Sequence, residues 1–464
     1  MYQMPALIDS HIHFLGMGYV AYLIELKSYH SIEEIIREVK KLPHQSMIIG
    51  RGWNQEHFTE KRMLTKHDLN QISADVPVVM IRTCGHVLAV NDKMLELAHI
   101  DQNYPYHGSG SIDFNTGILS EDAINLIYES YPRPTKADLK KYLVKANEIC
   151  LKNGITKVAS DDFQIFPIPF EEIIEVINEC YEEGLIQVSI TEQANLRTEA
   201  LLKSFIDKGY VNRHFGAFKM GPLKLLSDGS LGGRTARLKE AYADDPMNRG
   251  ILTYSEDELF KMVHLADQHQ MDCVIHAIGD EAIEVAINAL IKSLKITKRI
   301  DHHHAIIHAQ LATNAQIKLM KAWNIGVIIQ PIFLNSDIEM VASRIGNRQN
   351  ESYLFHTMKK IGLAVGLSTD TPIENINPLE NIYTAVSRKS QSRPELEAFL
   401  PNEAYSIDEA IECYTTGNLP YVYEETNLDE ITLSADIHVK TVEALLKLEI
   451  IETKIKGKIV YKKG

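Results

Sequence analysis

The alternation of short β-rich runs with amphipathic helices constrains this chain more than any other feature. Runs with strand character occur at residues 6–12, 156–160, 187–192, 223–227, 272–276, 305–308, 326–330 and 363–368. Helical patterns with apolar residues at i, i+3, i+4 and i+7 separate most of them, as in DLKKYLVKANEICLKNG, EEIIEVINECYEEG, SEDELFKMVHLADQHQ and NAQIKLMKAWN. The first two end in Gly, a signal for a helix C-terminus. Strands alternating with helices build a parallel sheet, and eight is the number that closes a barrel. The expected fold class is α/β, a (β/α)8 TIM barrel. A doubly wound open sheet is the competitor, but no glycine-rich phosphate loop follows the first run. A length of 464 residues suits one barrel with insertions.

One gap is out of proportion. Residues 14 to 154 separate the first run from the second, where a βα connection takes about 2–6 residues. The gap holds strand candidates of its own: SMIIGRGW, VPVVMIRT, HVLAVN and GILS. We expect an inserted small α/β domain after strand 1, about residues 45–130, over the barrel mouth. After about residue 433 the pattern changes again. LLKLEIIETKIKGKIVYKK reads as a hairpin turning at Lys456 and Gly457. The barrel with its insertion then spans residues 1–430, and a small C-terminal β appendage takes residues 431–464.

Charge and cysteine content exclude several function classes. The formal net charge is −14, from 48 Lys+Arg against 62 Asp+Glu. Such a surface repels phosphate backbones and anionic lipid, so nucleic acid and membrane are poor partners and a small-molecule substrate is the better one. There are five cysteines and no CxxC spacing, which suits a reducing compartment. No apolar run reaches the roughly 20 residues of a membrane helix. The first residues, MYQMPALIDSHIHF, carry no signal-peptide pattern. The cytoplasm is the expected location. Oligomeric state is not legible, and a homo-oligomer stays open.

The chemistry-bearing residues collect at the carboxyl ends of the expected strands, where barrel enzymes place their reactive groups. His11 and His13 are two apart on a strand, so both imidazoles face one way. With 19 histidines in the chain, one HxH arises by chance about once, so position must decide. His276 closes the run MDCVIH and His308 closes AIIH. Imidazole suits zinc, iron and manganese. Asp370 ends the last run, LAVGLSTD, where a carboxylate can bind a metal and take a proton from its water; capping the next helix is the bland alternative. Lys224 sits inside an apolar strand, where a charge is costly unless paired or neutral. A neutral amine there can add carbon dioxide to form a carbamate. The run of Asp301, His302, His303 and His304 precedes its strand, so it belongs to the stability face.

Together these residues resemble the amidohydrolase superfamily, and within it the YtcJ-like branch that includes N-substituted formamide deformylases. The resemblance runs over nearly the whole chain: MPALIDSHIHF, GRGWNQEHFTEKRMLTKHDLN, CGHVLAVN, LKLLSDGSLGGRTARL, VIHAIGDEAI, HAQL, VGLSTDTPIENINPLENIYTAVSRK and SADIHV. It implies that His11 and His13 bind the more buried ion and that His276 and His308 bind a second. N6-carboxylated Lys224 would bridge the two in a binuclear metal centre. Asp370 would ligate the first ion and act as general base. His86 resembles the branch's insertion-domain histidine facing the substrate, and Arg234 a branch arginine on the loop after the fourth strand. Trp53 and Asp280 match motif positions without an assigned role. There are two departures. Members carry a strand-rich stretch before the HxH strand; here that strand begins almost at residue 1, so either the β appendage is smaller or the start is trimmed. Ile307 stands where the branch has an acidic residue before the sixth-strand histidine.

The function these readings imply is that of a metal-dependent amidohydrolase. It would cleave a non-peptide carbon–nitrogen bond with a metal-bound hydroxide, using one or two divalent ions, zinc by preference. Three alternatives stay open. One is a mononuclear deaminase-like site of His11, His13, His276 and Asp370 with Lys224 unmodified. Another is an ester or lactone hydrolase. The third is a non-catalytic ligand-binding barrel.

Overall fold

The computed structural model describes all residues except 43–45, 83–86 and 108–109, and residue 122 beyond its backbone. The eight barrel strands are β1 (Leu7–Ile12), β2 (Ile155–Ser160), β3 (Ser189–Asn195), β4 (Phe218–Leu226), β5 (Cys273–Ala277), β6 (Ala305–His308), β7 (Gly326–Ile329) and β8 (Val365–Leu367). Each hydrogen-bonds the next in parallel from β1 to β8. The eight runs seen in the sequence are these eight strands, and the fold is a nearly closed (β/α)8 barrel. β1, β2, β6 and β7 are buried along their full lengths, as strands covered on both faces must be.

The seam between β1 and β8 is closed differently. Ser10 Oγ donates to Leu367 O (3.1 Å). Asn418 Nδ2 donates to both Ile8 O (2.5 Å) and Leu367 O (2.7 Å). Just beyond the strands, Asp370 N donates to His11 O (3.0 Å) and His13 N to Thr371 O (2.8 Å). The fully buried Asp9 accepts from the Thr369 N–H (3.1 Å) and hydroxyl (2.8 Å) and from His11 N (3.3 Å). Burial, opposed by those bonds, raises its carboxyl to about 7.

The four helical patterns singled out form the helices Lys136–Lys152, Phe170–Glu182, Glu256–Gln268 and Asn314–Ala322. Capping boxes start three of them, at Thr135, Ser255 and Thr313. Gly154 and Gly184 follow with φ of 73° and 70°, the left-handed turn that glycine makes without a steric penalty. At Gly154 an added Cβ would also press against Ile431 and Ile450 at 3.0 and 3.1 Å. Those two belong to a four-stranded antiparallel sheet of Tyr2–Pro5, Glu430–Leu433, Ile450–Ile455 and Lys458–Lys462. Its hairpin turns at Lys456 and Gly457, both with positive φ, as a tight two-residue turn requires.

The chain divides into two compact units, one of residues 1–18 and 135–464, the other of residues 19–134. The second holds a six-stranded sheet in the order Ile24–Glu25, Ile48–Trp53, Val78–Arg82, Val87–Val90, Ile118–Ser120, Ser111–Asp113. It has apolar cores of its own. Trp53 is fully buried in one of them and donates from Nε1 to Met80 O (2.9 Å), so its place is structural. Among the described residues no helix is long and apolar enough to cross a membrane.

Candidate metal centre

The strand ends bring the expected residues together. His11 lies in β1 and His13 just past it. Lys224 lies in β4, His276 in β5, His308 closes β6, and Asp370 follows β8. His308 and Asp370 have φ of 74° and 57°. A left-handed backbone is uncommon outside glycine, and it persists here at two non-glycine residues that face the same centre. One ligand atom each from His11, His308 and Asp370 lies within 4.8 Å of the others. His11 Nε2 and His13 Nε2 are each 3.3 Å from Asp370 Oδ1. The His276 ring lies edge-on to His308 at 4.4 Å between centroids.

The far side of each imidazole is occupied. His11 Nδ1–H donates to Gln193 Oε1 (2.6 Å), and His308 Nδ1–H to Gln330 Oε1 (2.8 Å). Both amides are held in that orientation through their NH2 groups. Gln193 Nε2 donates to Ser10 O (3.0 Å), and Gln330 Nε2 to Ser368 Oγ (2.6 Å). Each glutamine thereby fixes the tautomer that leaves Nε2 as a lone pair. His13 Nδ1–H donates to Asp161 O (2.9 Å), which likewise frees its Nε2. His276 differs: its Nε2–H donates to Gly229 O (3.0 Å), near Asp228 Oδ1 (3.5 Å), so Nδ1 keeps the lone pair. Asp228 in turn accepts from the backbone of Arg237, Ile278 and Gly279, and burial raises it to about 7.

Burial, then the Lys224 charge, lowers His11 and brings His276 to about 4; burial, then His276, lowers His308 further. These three are neutral at pH 7. Asp370 goes the other way. Burial opposes its charge, but the imidazoles of His11 and His13, each 3.3 Å from Oδ1, outweigh that and hold it well below the carboxylate range. For His13, burial is outweighed by the neighbouring Asp370 carboxylate, which raises it to about 9, so without an ion its Nε2 carries a proton at pH 7 that a metal would have to displace.

Lys224 is almost wholly buried and donates from Nζ to Asp161 Oδ2 (3.1 Å). Asn195 Nδ2 donates to both Asp161 oxygens (3.1 Å each). Arg234 is half-exposed, its guanidinium bonded to Asp244 Oδ1 (3.1 Å) and Oδ2 (3.0 Å). His86 lies outside the described residues. Asp280 begins the helix Asp280–Thr297 and accepts from Lys239 N (3.0 Å), a structural role. Sequence reasoning missed Gln193, Gln330, Asp161, Asn195 and Asp228. A usable signal was polarity at apolar strand ends, as in the SDD after β2 and the EQAN closing β3.

One atom decides what this cluster can hold. Asp370 Oδ1 is buried and has no hydrogen-bond partner of proper geometry, although imidazole nitrogens surround it. A buried anionic oxygen facing the Nε2 atoms of His11 and His13 is the arrangement a divalent cation completes, taking the place of the proton on His13. The comparisons agree. Residues 1–428 match the profile described as "Amidohydrolase family". The chain belongs to the amidohydrolase family. It is 32% identical over 487 residues to the amidohydrolase-family protein YtcJ of Bacillus subtilis (strain 168), covering 99% of this chain and 89% of that one. It is 22% identical over 445 residues to an N-substituted formamide deformylase of Arthrobacter pascens, covering 89% and 78%. A crystal structure of an uncharacterized metal-dependent hydrolase from Pyrococcus furiosus superposes with a TM-score of 0.77 at 28% identity, over 91% of this chain and 83% of that chain. This amidohydrolase is a metal-dependent hydrolase.

Proposed function

We propose that the protein hydrolyses a non-peptide carbon–nitrogen bond in a small molecule, an amide or formamide. The observation that carries this is the partnerless Asp370 Oδ1 facing His11 and His13, and the likeness to a formamide deformylase supports the bond type. His11, His13, His308 and Asp370 would hold a divalent ion, with His276 and Lys224 completing the set. Zinc suits these donors best. Such an ion polarises a carbonyl and makes water a nucleophile at neutral pH. Asp370 accepts the proton of the attacking water on a carboxylate oxygen and passes it to the leaving nitrogen. Gln193 and Gln330 keep two imidazoles in the one tautomer that can donate to a metal. By the resemblance alone His86 and Arg234 are candidates for contacting substrate, and Arg234 would first have to leave Asp244.

Two arrangements of this site are open. In one, a carboxylated Lys224 bridges two ions. In the other, Lys224 is unmodified and one ion is bound. Unmodified Lys224 pairs with Asp161 at 3.1 Å, whereas a carbamate would set a second anion beside Asp161 that bound ions would have to offset. Elemental analysis settles the ion count, and the mass increment of carbon dioxide on the native protein reports the carbamate.

The test of the whole reading is metal content together with hydrolysis of N-formyl and N-acetyl amides. Asp370→Asn should keep metal and lose kcat by about two orders of magnitude or more. Retained turnover removes Asp370 as the base, and failure to bind any divalent ion overturns the hydrolase.

A further inference from the structure

The segments 196–198, 227–255 and 330–354, which follow the carboxyl ends of β3, β4 and β7, carry seven basic side chains, and all but one lie near a carboxylate. Arg234 and Arg344 share Asp244. Arg237 and Arg249 share Glu281. Lys239 pairs with Glu284, and Arg348 lies 3.9 Å from Glu240. The exception is Arg197, two residues past β3. It is exposed, and among the described residues no carboxylate lies within ion-pair distance of it. Its Nε donates only to a neutral amide oxygen, Asn195 Oδ1 (3.4 Å). Its backbone is held in place, because Tyr254 OH donates to Arg197 O (2.9 Å).

Arg197 is not isolated from the centre. Asn195 uses its other end to donate to Asp161, and Asp161 pairs with Lys224. A continuous polar ladder of Arg197, Asn195, Asp161 and Lys224 thus runs from the exposed rim into the buried site. Asn195 is locked between a carboxylate and a guanidinium, so it fixes how Arg197 presents itself. Among the described residues the terminal nitrogens of that guanidinium have no partner. A planar guanidinium with both terminal N–H groups free matches a carboxylate bidentately. A single arginine in a chain of net charge −14 suits a monoanion better than a phosphate, which needs several donors.

We propose that Arg197 is a specificity-determining residue that binds the free carboxylate of the substrate, and that the substrate class is a carboxylate-bearing amide such as an N-acylated amino acid. This rests on the amide-hydrolase reading above, so binding is measured apart from turnover. The probes are a panel of N-acetyl amino acids and the same compounds capped as carboxamides, titrated calorimetrically into metal-loaded Asp370→Asn protein with and without Arg197→Gln. The free acids should bind at least about tenfold tighter than their capped counterparts, roughly 1.4 kcal/mol. Arg197→Gln should erase that difference and leave the capped compounds unchanged. In the otherwise native enzyme it should raise KM for free acids about tenfold and leave kcat within about twofold. Arg197→Lys should retain part of the preference. Equal binding of free and capped forms, a preference that survives Arg197→Gln, or no binding by any free acid overturns the proposal. Turnover that persists in Asp370→Asn overturns the assigned base instead and leaves the Arg197 result standing.

Discussion

Gln193 and Gln330 place neutral amides, rather than carboxylates, behind two imidazoles of the centre. A carboxylate there would make the imidazole more basic; an amide orients it without adding charge. Gln193→Leu should free the His11 ring to turn, and metal affinity should fall by about 10–100-fold in chelator competition, with little loss of fold. Unchanged affinity would mean that packing alone holds His11. The histidines and Asp370 are legible in the sequence because each closes an apolar strand. Their supports are less so. Gln193 and Asn195 lie in one short stretch, and nothing in a linear string says that one amide meets His11 and the other Asp161. Lys224 is visible as a charge in an apolar strand, but its partner Asp161 comes from another strand and emerges only on folding.

Strand β6 carries histidines at both ends, with opposite consequences. His308 at its carboxyl end joins the centre. At its other end His302 and His304 are buried and stacked, with centroids 4.5 Å apart. His304 Nδ1 accepts from Cys273 N (2.9 Å), and its Nε2 lies 3.4 Å from Asp267 Oδ1. The expectation that this run serves stability fits these contacts. Burial, then the charge of His304, lowers His302 to about 4 from the ordinary 6.5. Between those values the unfolded chain binds a proton that the folded chain does not. Stability from this group is therefore intact above about pH 6.5 and declines as pH falls toward 4. Urea midpoints at pH 7.5 and 5 should show that decline, and His302→Phe should shallow it. An unchanged slope in the variant would exonerate His302. The strands themselves were readable because parallel strands buried on both faces are continuous apolar runs. Of the edges of the second unit, only one was. Expected near residues 45 and 130, they fall at 19 and 134; the first lies inside the helix Phe14–Val20, which carries no break in composition, and the second, at Pro132 and Pro134, lies close to its expected place.

At the scale of the whole molecule, three of the candidate ligands come from the two ends of the barrel's sequence. His11 and His13 belong to β1, and Asp370 to the turn after β8. An ion bound by all three cross-links residues about 360 positions apart (370 − 11 = 359), and binding that favours the folded state raises stability by mass action. Stripping the metal should lower Tm, and re-addition should restore it. Hydrogen exchange should quicken most around residues 7–13 and 365–371. Uniform quickening over all eight strands would show that the ion does not act at this junction.

The β1–β8 seam gives that cross-link a second meaning. Every other junction of the barrel is fastened by a ladder of backbone bonds, whereas this one depends on the side chains of Asp9, Ser10 and Asn418 and on a few contacts beside His11 and Asp370. The clasp that shuts the cylinder adjoins the proposed metal ligands in the chain. A polypeptide that has not yet brought its first strand against its last has not brought His11 and His13 to Asp370, so on the proposed reading activity should appear only with barrel closure.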